Sequence, residues 1–179
     1  MYRLSRMRFI FPIGLLLCFF LDGSVSSVFS DFLFSYPYST VSHLVVLWMV
    51  LGVIQEGRNE RVIPFTFFAV VIGIIFDSYY AGILGLFVFL FPIIIWVTRM
   101  LTKNFAANFL NSIMIFFIDI ALLELLNYVA YSIVGVISVS FSDFVLHTLA
   151  PTLALNLVYF VILYLPISAI YDKYARLRS

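Results

Sequence analysis

Residues 62–104 read VIPFTFFAVVIGIIFDSYYAGILGLFVFLFPIIIWVTRMLTKN, and this stretch decides the fold class. Between Arg61 and Arg99 the only charged residue is Asp77. A helix needs about 20 apolar residues to cross a hydrocarbon layer ~30 Å thick. The stretch is therefore long enough for two crossings, 62–79 and 82–98, joined by a tight turn.

The rest of the chain repeats this pattern of long apolar runs separated by short polar segments. Hydrophobic residues make up 64% of the 179 residues and charged residues 11%, whereas a soluble domain carries roughly 25% charged residues. We predict an all-α integral membrane protein, a single domain over residues 1–179. Its bundle of six transmembrane helices is predicted at 9–29, 38–54, 62–79, 82–98, 105–134 and 148–170. The fifth run is too long for a straight crossing, so it tilts or begins as an interfacial helix, and 138–147 is predicted as a polar loop.

The basic residues set the predicted orientation, because Lys and Arg resist translocation. In the six-span arrangement all ten lie on one side, which is therefore cytoplasmic and holds both termini: Arg3, Arg6, Arg8, Arg58, Arg61, Arg99, Lys103, Lys173, Arg176 and Arg178. A second interpretation of residues 1–29 stays open. A basic start, an apolar stretch and the small residues at 23–27 also resemble a secretory signal peptide, whose cleavage would leave five spans.

Four acidic residues lie inside or at the edges of the apolar runs: Asp22, Asp77, Asp119 and Glu124. A carboxylate at bilayer depth costs roughly 2.5–3.5 kcal/mol even on the lenient insertion scale. Because no Lys or Arg lies at their depth, we expect these groups to be protonated, to be hydrogen-bonded to Ser, Asn or Tyr, or to meet water near the outer surface, and for Asp22 and Asp77 we favour water. Asp119, near mid-membrane, is the strongest candidate for a buried polar contact. Structural bonding between helices and a functional pocket or partner contact both remain open.

Polar residues also recur along the fifth predicted span. At 100° per residue, several fall within an arc of about 100°: Asn104, Asn108, Asn111, Ser112 and Asp119. Glu124 lies well away from this arc, and Asn127 lies between. Such a stripe faces protein or water rather than lipid. It predicts helix packing, a cavity lining or contact with a partner.

No complete catalytic or metal-binding pattern is present in the sequence. His43 and His147 are the only histidines, and Cys18 has no base near it in sequence, so neither a Cys/His pair nor a zinc site is indicated. Asp77 lacks the sequence setting of intramembrane aspartyl proteases, and Asp22-Gly23 is not followed by the residues typical of phosphatidyl-alcohol transferases. The basic residues form small clusters flanking the membrane, which excludes a nucleic-acid binder. We predict no enzyme activity and no cofactor.

Residues 73–85, GIIFDSYYAGILG, carry a family resemblance. They resemble the signature of the bacterial rod-shape-determining protein MreD family, in which a third-span Gly-x-x-x-Asp precedes a Gly-x-x-Gly-like turn. The matching residues are Gly73, Asp77, Gly82 and Gly85, whereas Leu84 stands where the family often has proline. At the hairpin we expect Asp77 to accept hydrogen bonds from backbone N–H groups or Ser78, and the glycines to let two helices approach.

The resemblance implies a non-enzymatic scaffold of the cell-wall elongation machinery in the bacterial cytoplasmic membrane. Its implied partner is the single-span protein MreC. Through MreC it would meet a lipid-II polymerase, a class-B penicillin-binding protein and an actin-like filament protein. The alternative is a substrate-binding subunit of an energy-coupling-factor vitamin transporter, whose six-span fold the MreD family is expected to resemble. Residues 12–18, PIGLLLC, lack the Ala-x-x-x-Ala docking motif of those subunits.

Overall fold

A computed structural model describes residues 7–56, 63–80, 82–106 and 108–175. All regular structure within these residues is helical. Its elements are α1 (Met7–Val28), α2 (Ser30–Leu33), α3 (Leu44–Glu56), α4 (Phe65–Tyr79), α5 (Leu86–Asn104), α6 (Phe109–Ile133), α7 (Phe141–Phe144), a π-helical segment (Val145–Leu149) and α8 (Ala150–Ala175).

Helix α3 forms the centre of the bundle. Its residues from Leu44 to Gln55 are all buried, and it contacts α1, α4, α5, α6 and α8. A helix that is apolar all round is one that protein surrounds. Its 13 residues span only ~20 Å, so the outer helices, and not α3, meet the lipid.

Several helices are long and apolar enough to cross a membrane. Among the described residues these are Phe9–Val28, Leu86–Asn104, Phe109–Ile133 and Phe141–Lys173, whereas α3 and α4 are shorter apolar helices. The predicted class, an all-helical membrane protein, is confirmed. The full count of six crossings and the placement of both termini stay predictions, because Arg3, Arg6, Arg58, Arg61, Arg176 and Arg178 lie outside the described residues.

Three predicted helix starts are wrong. Residues 38–43 have no regular secondary structure, and the second helix begins at Leu44. The fourth begins at Leu86, after Gly85 with φ of 96°, and continues past Arg99 to Asn104. The fifth begins at Phe109, because the Asn108 side chain caps it by accepting from the Asn111 N–H. The predicted run 105–134 is thus broken before α6 and needs no interfacial helix of its own.

The predicted polar loop 138–147 is also wrong over much of its length. The Ser140 side chain caps α7 by accepting from the Asp143 N–H, and the helix continues through the π-helical segment into α8. Pro151 lacks an N–H group and cannot bond the carbonyl of His147 four residues earlier. The Ser39 N–H, 2.9 Å away, donates to that carbonyl instead. This hydrogen bond ties the non-helical segment before α3 to the start of the last helix, at the π-helical turn.

The bundle has two chemically different ends. At the aspartate end, which holds Asp22 and Asp77, Gly82 N–H donates to the Tyr131 hydroxyl at 3.1 Å. At the arginine end, Arg99 forms an ion pair with Glu56 at 3.2 Å. Consecutive long helices therefore run between these two ends in alternating directions.

Candidate functional site

Asp77 in α4 caps the beginning of the following long helix, α5. Its Oδ1 accepts from the Phe87 N–H at 2.9 Å, and its Oδ2 accepts from the N–H groups of Gly85 and Val88, each at 3.1 Å. The first N–H groups of a helix have no partner within it and carry a partial positive charge. One buried carboxylate therefore satisfies three donors and fixes the hairpin turn.

The hydrogen bonding predicted for Asp77 is present through backbone N–H groups. The Ser78 hydroxyl does not take part, since it donates to the Ile74 carbonyl at 2.7 Å. The expectation that Asp22 and Asp77 lie in water is wrong, because they are only 3% and 2% exposed. Backbone N–H groups at the starts of two helices donate to these carboxylates, and this makes their burial possible. The sequence alone does not show which helix start lies beside which aspartate.

The hairpin glycines have different roles. A Cβ atom at Gly73 would lie 2.7 Å from the Phe87 carbonyl oxygen, so this glycine allows α4 and α5 to touch. Gly85 adopts the left-handed φ of 96°, which favours glycine. A Cβ at Gly82 would meet nothing nearer than 3.9 Å, so the expectation that Gly82 and Gly85 permit close helix packing is wrong.

Asp22 in α1 caps the central helix α3 in the same way. Its Oδ1 accepts from the Ser42 hydroxyl at 2.5 Å and from the Leu44 N–H at 2.8 Å, and its Oδ2 accepts from the Val45 N–H at 2.9 Å. Here too a carboxylate from one span accepts hydrogen bonds from the unpaired N–H groups in the first turn of the next long helix. The two aspartates thus perform one structural task at two helix starts.

The non-helical segment before α3 is held by side chains of α8. The Val41 N–H donates to the Thr152 hydroxyl at 3.1 Å, and the Asn156 amide donates to the Val41 carbonyl at 2.8 Å. The His43 N–H donates to the Asn156 Oδ1 at 2.9 Å. Non-helical backbone within a membrane bundle needs such partners, because lipid supplies none.

His43, the residue before α3, also contacts α6. Its Nε2 lies 2.6 Å from the Glu124 Oε1, and both side chains are at least nine-tenths buried. We define the polar cluster as Asp22, Ser42, His43, Glu124, Thr152 and Asn156. It links α1, α3, α6 and α8 at the aspartate end. Nowhere in the described parts of the chain do three His, Cys, Asp or Glu side chains group as metal ligands would.

Asp119 forms a separate contact between α5 and α6. It is fully buried, and its Oδ2 lies 2.7 Å from the Thr98 hydroxyl. Its Oδ1 has no hydrogen-bond donor among the described residues, and the same holds for the Asn127 Oδ1. The predicted buried polar contact of Asp119 is therefore present, with a threonine of the neighbouring helix.

The predicted polar stripe does not form one helix face. Asn104 ends α5, and Asn108 caps α6 after the break between them. Asn108 is exposed and Asn111 is half-buried, whereas Ser112 and Asp119 are buried. The stripe fails because the helix is not continuous from Asn104 to Asp119.

Four residues of the polar cluster were not among the predicted site residues: Ser42, His43, Thr152 and Asn156. A usable sequence indication was present for two of them. Thr152 and Asn156 are polar, lie four residues apart in an apolar span, and therefore share a helix face. Their partner segment 39–43 could not be inferred, because it was predicted to be helical.

These observations define a class: a multi-pass α-helical membrane protein whose helices are joined by buried polar contacts. The sequence profile described as rod shape-determining protein MreD matches residues 7–174. The rod shape-determining protein MreD of Bacillus subtilis (strain 168) is 26% identical over 162 residues, which cover 89% of this chain and 90% of that protein. The chain belongs to the rod shape-determining protein MreD family.

Family membership confirms the resemblance drawn from residues 73–85 and excludes an enzyme, since the family is a structural, shape-determining one. No solved structure matches the chain. The likeness of its fold to the substrate-binding subunits of vitamin transporters therefore stays a prediction.

Proposed function

We propose that the protein is a membrane scaffold of the bacterial cell-wall elongation machinery and binds an MreC-type single-span protein. Membership of the MreD family carries this proposal. The wall-synthesis enzymes, a lipid-II polymerase and a class-B penicillin-binding protein, would be reached through that partner, as would the actin-like filament protein. The scaffold would maintain cell shape by holding these proteins together.

The contacts within the bundle suit a scaffold because they favour one fixed arrangement. Two helix starts are capped from a neighbouring helix by Asp77 and Asp22. Asp119 holds α5 against α6. Association of helices in lipid depends on close packing and polar contacts, since there is no hydrophobic driving force between them. A bundle fixed in this way presents a constant outer surface to a partner helix.

We place the partner contact near the beginning of α6. Asn108 is exposed and Asn111 is half-buried there, and polar side chains at a helix surface can bond across to another helix. Asp119 is buried and would act only by positioning α6. Glu124, Asn127 and Asp22 would support the bundle from inside.

The proposed partner contact is tested by photo-crosslinking in the native membrane. A crosslinking amino acid at Asn108 or Asn111 should capture a single-span protein, identified by mass spectrometry. The matched control is Trp96, which is 65% exposed on α5 and should capture no protein. Capture at Trp96 alone would move the contact to α5, and no capture at any of the three would contradict the proposed surface.

We further propose that the protein lies in the cytoplasmic membrane with the arginine end and both termini in the cytoplasm. Single cysteines at Ser35 and Ser142, both exposed near the aspartate end, should react with a membrane-impermeant thiol reagent added outside intact cells. A cysteine at Lys103 should react only after the cells are opened. Labelling of Ser35 and Ser142 only from the cytoplasmic side would contradict this orientation.

A further inference from the structure

The connections at the aspartate end expose large apolar side chains. They join α1 to α3, α4 to α5, and α6 to α7, and they include the helix-terminal residues Tyr79 of α4 and Phe141 of α7. Each presents large exposed side chains, whose relative exposure ranges from 57% for Phe141 to 98% for Tyr36. The set is Phe32, Tyr36, Tyr79, Leu84, Val134 and Phe141.

Charged residues are nearly absent from the same connections. Asp31 is the only one between Phe29 and His43, and there is none in 78–85 or 133–141. A loop that faces water would expose charged and polar side chains in place of this many aromatic and aliphatic ones. Exposed apolar surface on this scale indicates an interaction site.

The length of α1 sets the depth of these connections. Its 22 residues, Met7–Val28, span ~33 Å, close to the thickness of the hydrocarbon layer. A helix that begins at one boundary therefore reaches the other near Val28. The connection that follows lies at the boundary between lipid headgroups and acyl chains, where Trp and Tyr are enriched in membrane proteins.

The arrangement around the bundle identifies lipid as the occupant. The three connections belong to helices α1, α4, α5 and α6, and each of these contacts α3. Because α1 also contacts α4, α4 contacts α5 and α5 contacts α6, these helices follow one another around α3. A single protein partner would cover one side, whereas lipid surrounds all of them. Without Lys or Arg in these connections, attraction to anionic headgroups has no source.

We propose that these connections form an interfacial collar, defined by the six exposed residues named above, which inserts into the headgroup–acyl boundary of the leaflet at the aspartate end. The collar binds the lipid surface through apolar contact and does not select headgroup charge. It also compensates for α4, whose 15 residues span only ~22 Å. Seating Leu84, which lies beyond the last residue of α4, in the boundary extends the apolar reach of that helix and reduces its mismatch with the bilayer.

Spin labelling of the purified full chain in phosphatidylcholine nanodiscs tests the collar. Single cysteines replace Phe32, Leu84 and Val134, one in each connection, and the wild-type chain with buried Cys18 is the labelling blank. Collisions with oxygen report lipid, and collisions with a water-soluble nickel chelate report water. Phe89→Cys, at a position 71% exposed on α5, is the lipid standard, and Lys103→Cys is the water standard.

At all three collar positions, the ratio of the oxygen collision rate to the nickel-chelate collision rate should be at least tenfold higher than at Lys103. This ratio should not change when phosphatidylglycerol is added. Preferential access of the nickel chelate at any of the three positions would overturn the collar. Oxygen preference that appears only in native membranes, and not in nanodiscs, would show that a protein covers these residues and would equally overturn the proposal.

Discussion

Replacing Asp77 by leucine is expected to remove about 3–5 kcal/mol of stability, because three backbone N–H groups at the beginning of α5 lose their acceptor. Each unsatisfied donor costs about 1–3 kcal/mol when buried, and less where it is partly exposed. Proteins have a total free energy of unfolding of about 5–15 kcal/mol, so this loss is a large share of the stability. The yield of monodisperse protein in detergent, and its thermal midpoint, should both fall sharply.

Two variants make the Asp77 result specific. Asp77→Asn keeps one oxygen acceptor and should lie between wild type and Asp77→Leu. Asp31→Leu changes an exposed acid at the same end of the bundle and should leave the thermal midpoint unchanged. If Asp77→Leu melted at the same temperature as Asp31→Leu, the capping role of Asp77 would be wrong.

Gly73 is the position where added volume should do the most damage. A Cβ atom there would lie 2.7 Å from the Phe87 carbonyl oxygen and 2.8 Å from the Val88 Cα. These neighbours are backbone atoms and cannot rotate away, so α4 and α5 must separate. Overpacking of this kind costs about 1–3 kcal/mol or more. Gly73→Ala should lower the thermal midpoint, and Gly73→Leu should abolish the folded yield.

Gly82→Ala is the matched control for Gly73→Ala, because it lies in the same hairpin and its added Cβ meets nothing nearer than 3.9 Å. It should melt within a few degrees of wild type. Equal loss of stability in Gly73→Ala and Gly82→Ala would show that general flexibility of the hairpin matters, and not close packing at Gly73.

The membrane class of this chain could be predicted from sequence because apolar run length is a local property. Runs that become α1, α5, α6 and α8 were each identified as spans. The starts of α3 and α5 could not be predicted, because they depend on carboxylates supplied by other helices. Asp22 lies 22 residues before Leu44 in the sequence, and nothing local indicates that it caps that residue.

The site could be predicted only in part, for a similar reason. Asp77 and Asp119 were identified because a carboxylate in an apolar run requires a partner, and both have one. The pairing of Glu124 with His43 was missed, since it joins residues 81 positions apart. The stripe from Asn104 to Asp119 was wrong because periodicity assumed a continuous helix where Asn108 begins a new one.

The resemblance at residues 73–85 was informative because three of its four matching residues have a physical role in the hairpin. Gly73 allows backbone contact, Asp77 supplies the cap, and Gly85 adopts a left-handed conformation. All three roles concern the same hairpin between α4 and α5. Leu84, where the family often has proline, is 81% exposed and takes no part in the cap.

Cell shape after depletion tests the central claim most directly. In the bacterium that carries this chain, with no second copy of the family, the gene is placed under an inducible promoter. Cell width, length and the rate of lateral wall synthesis are then followed by microscopy. Depletion should make the cells round or misshapen, and wild type or Asp31→Leu should restore their shape while Asp77→Leu should not. Cells that keep normal dimensions and normal wall synthesis after complete depletion would contradict a scaffold role in wall elongation.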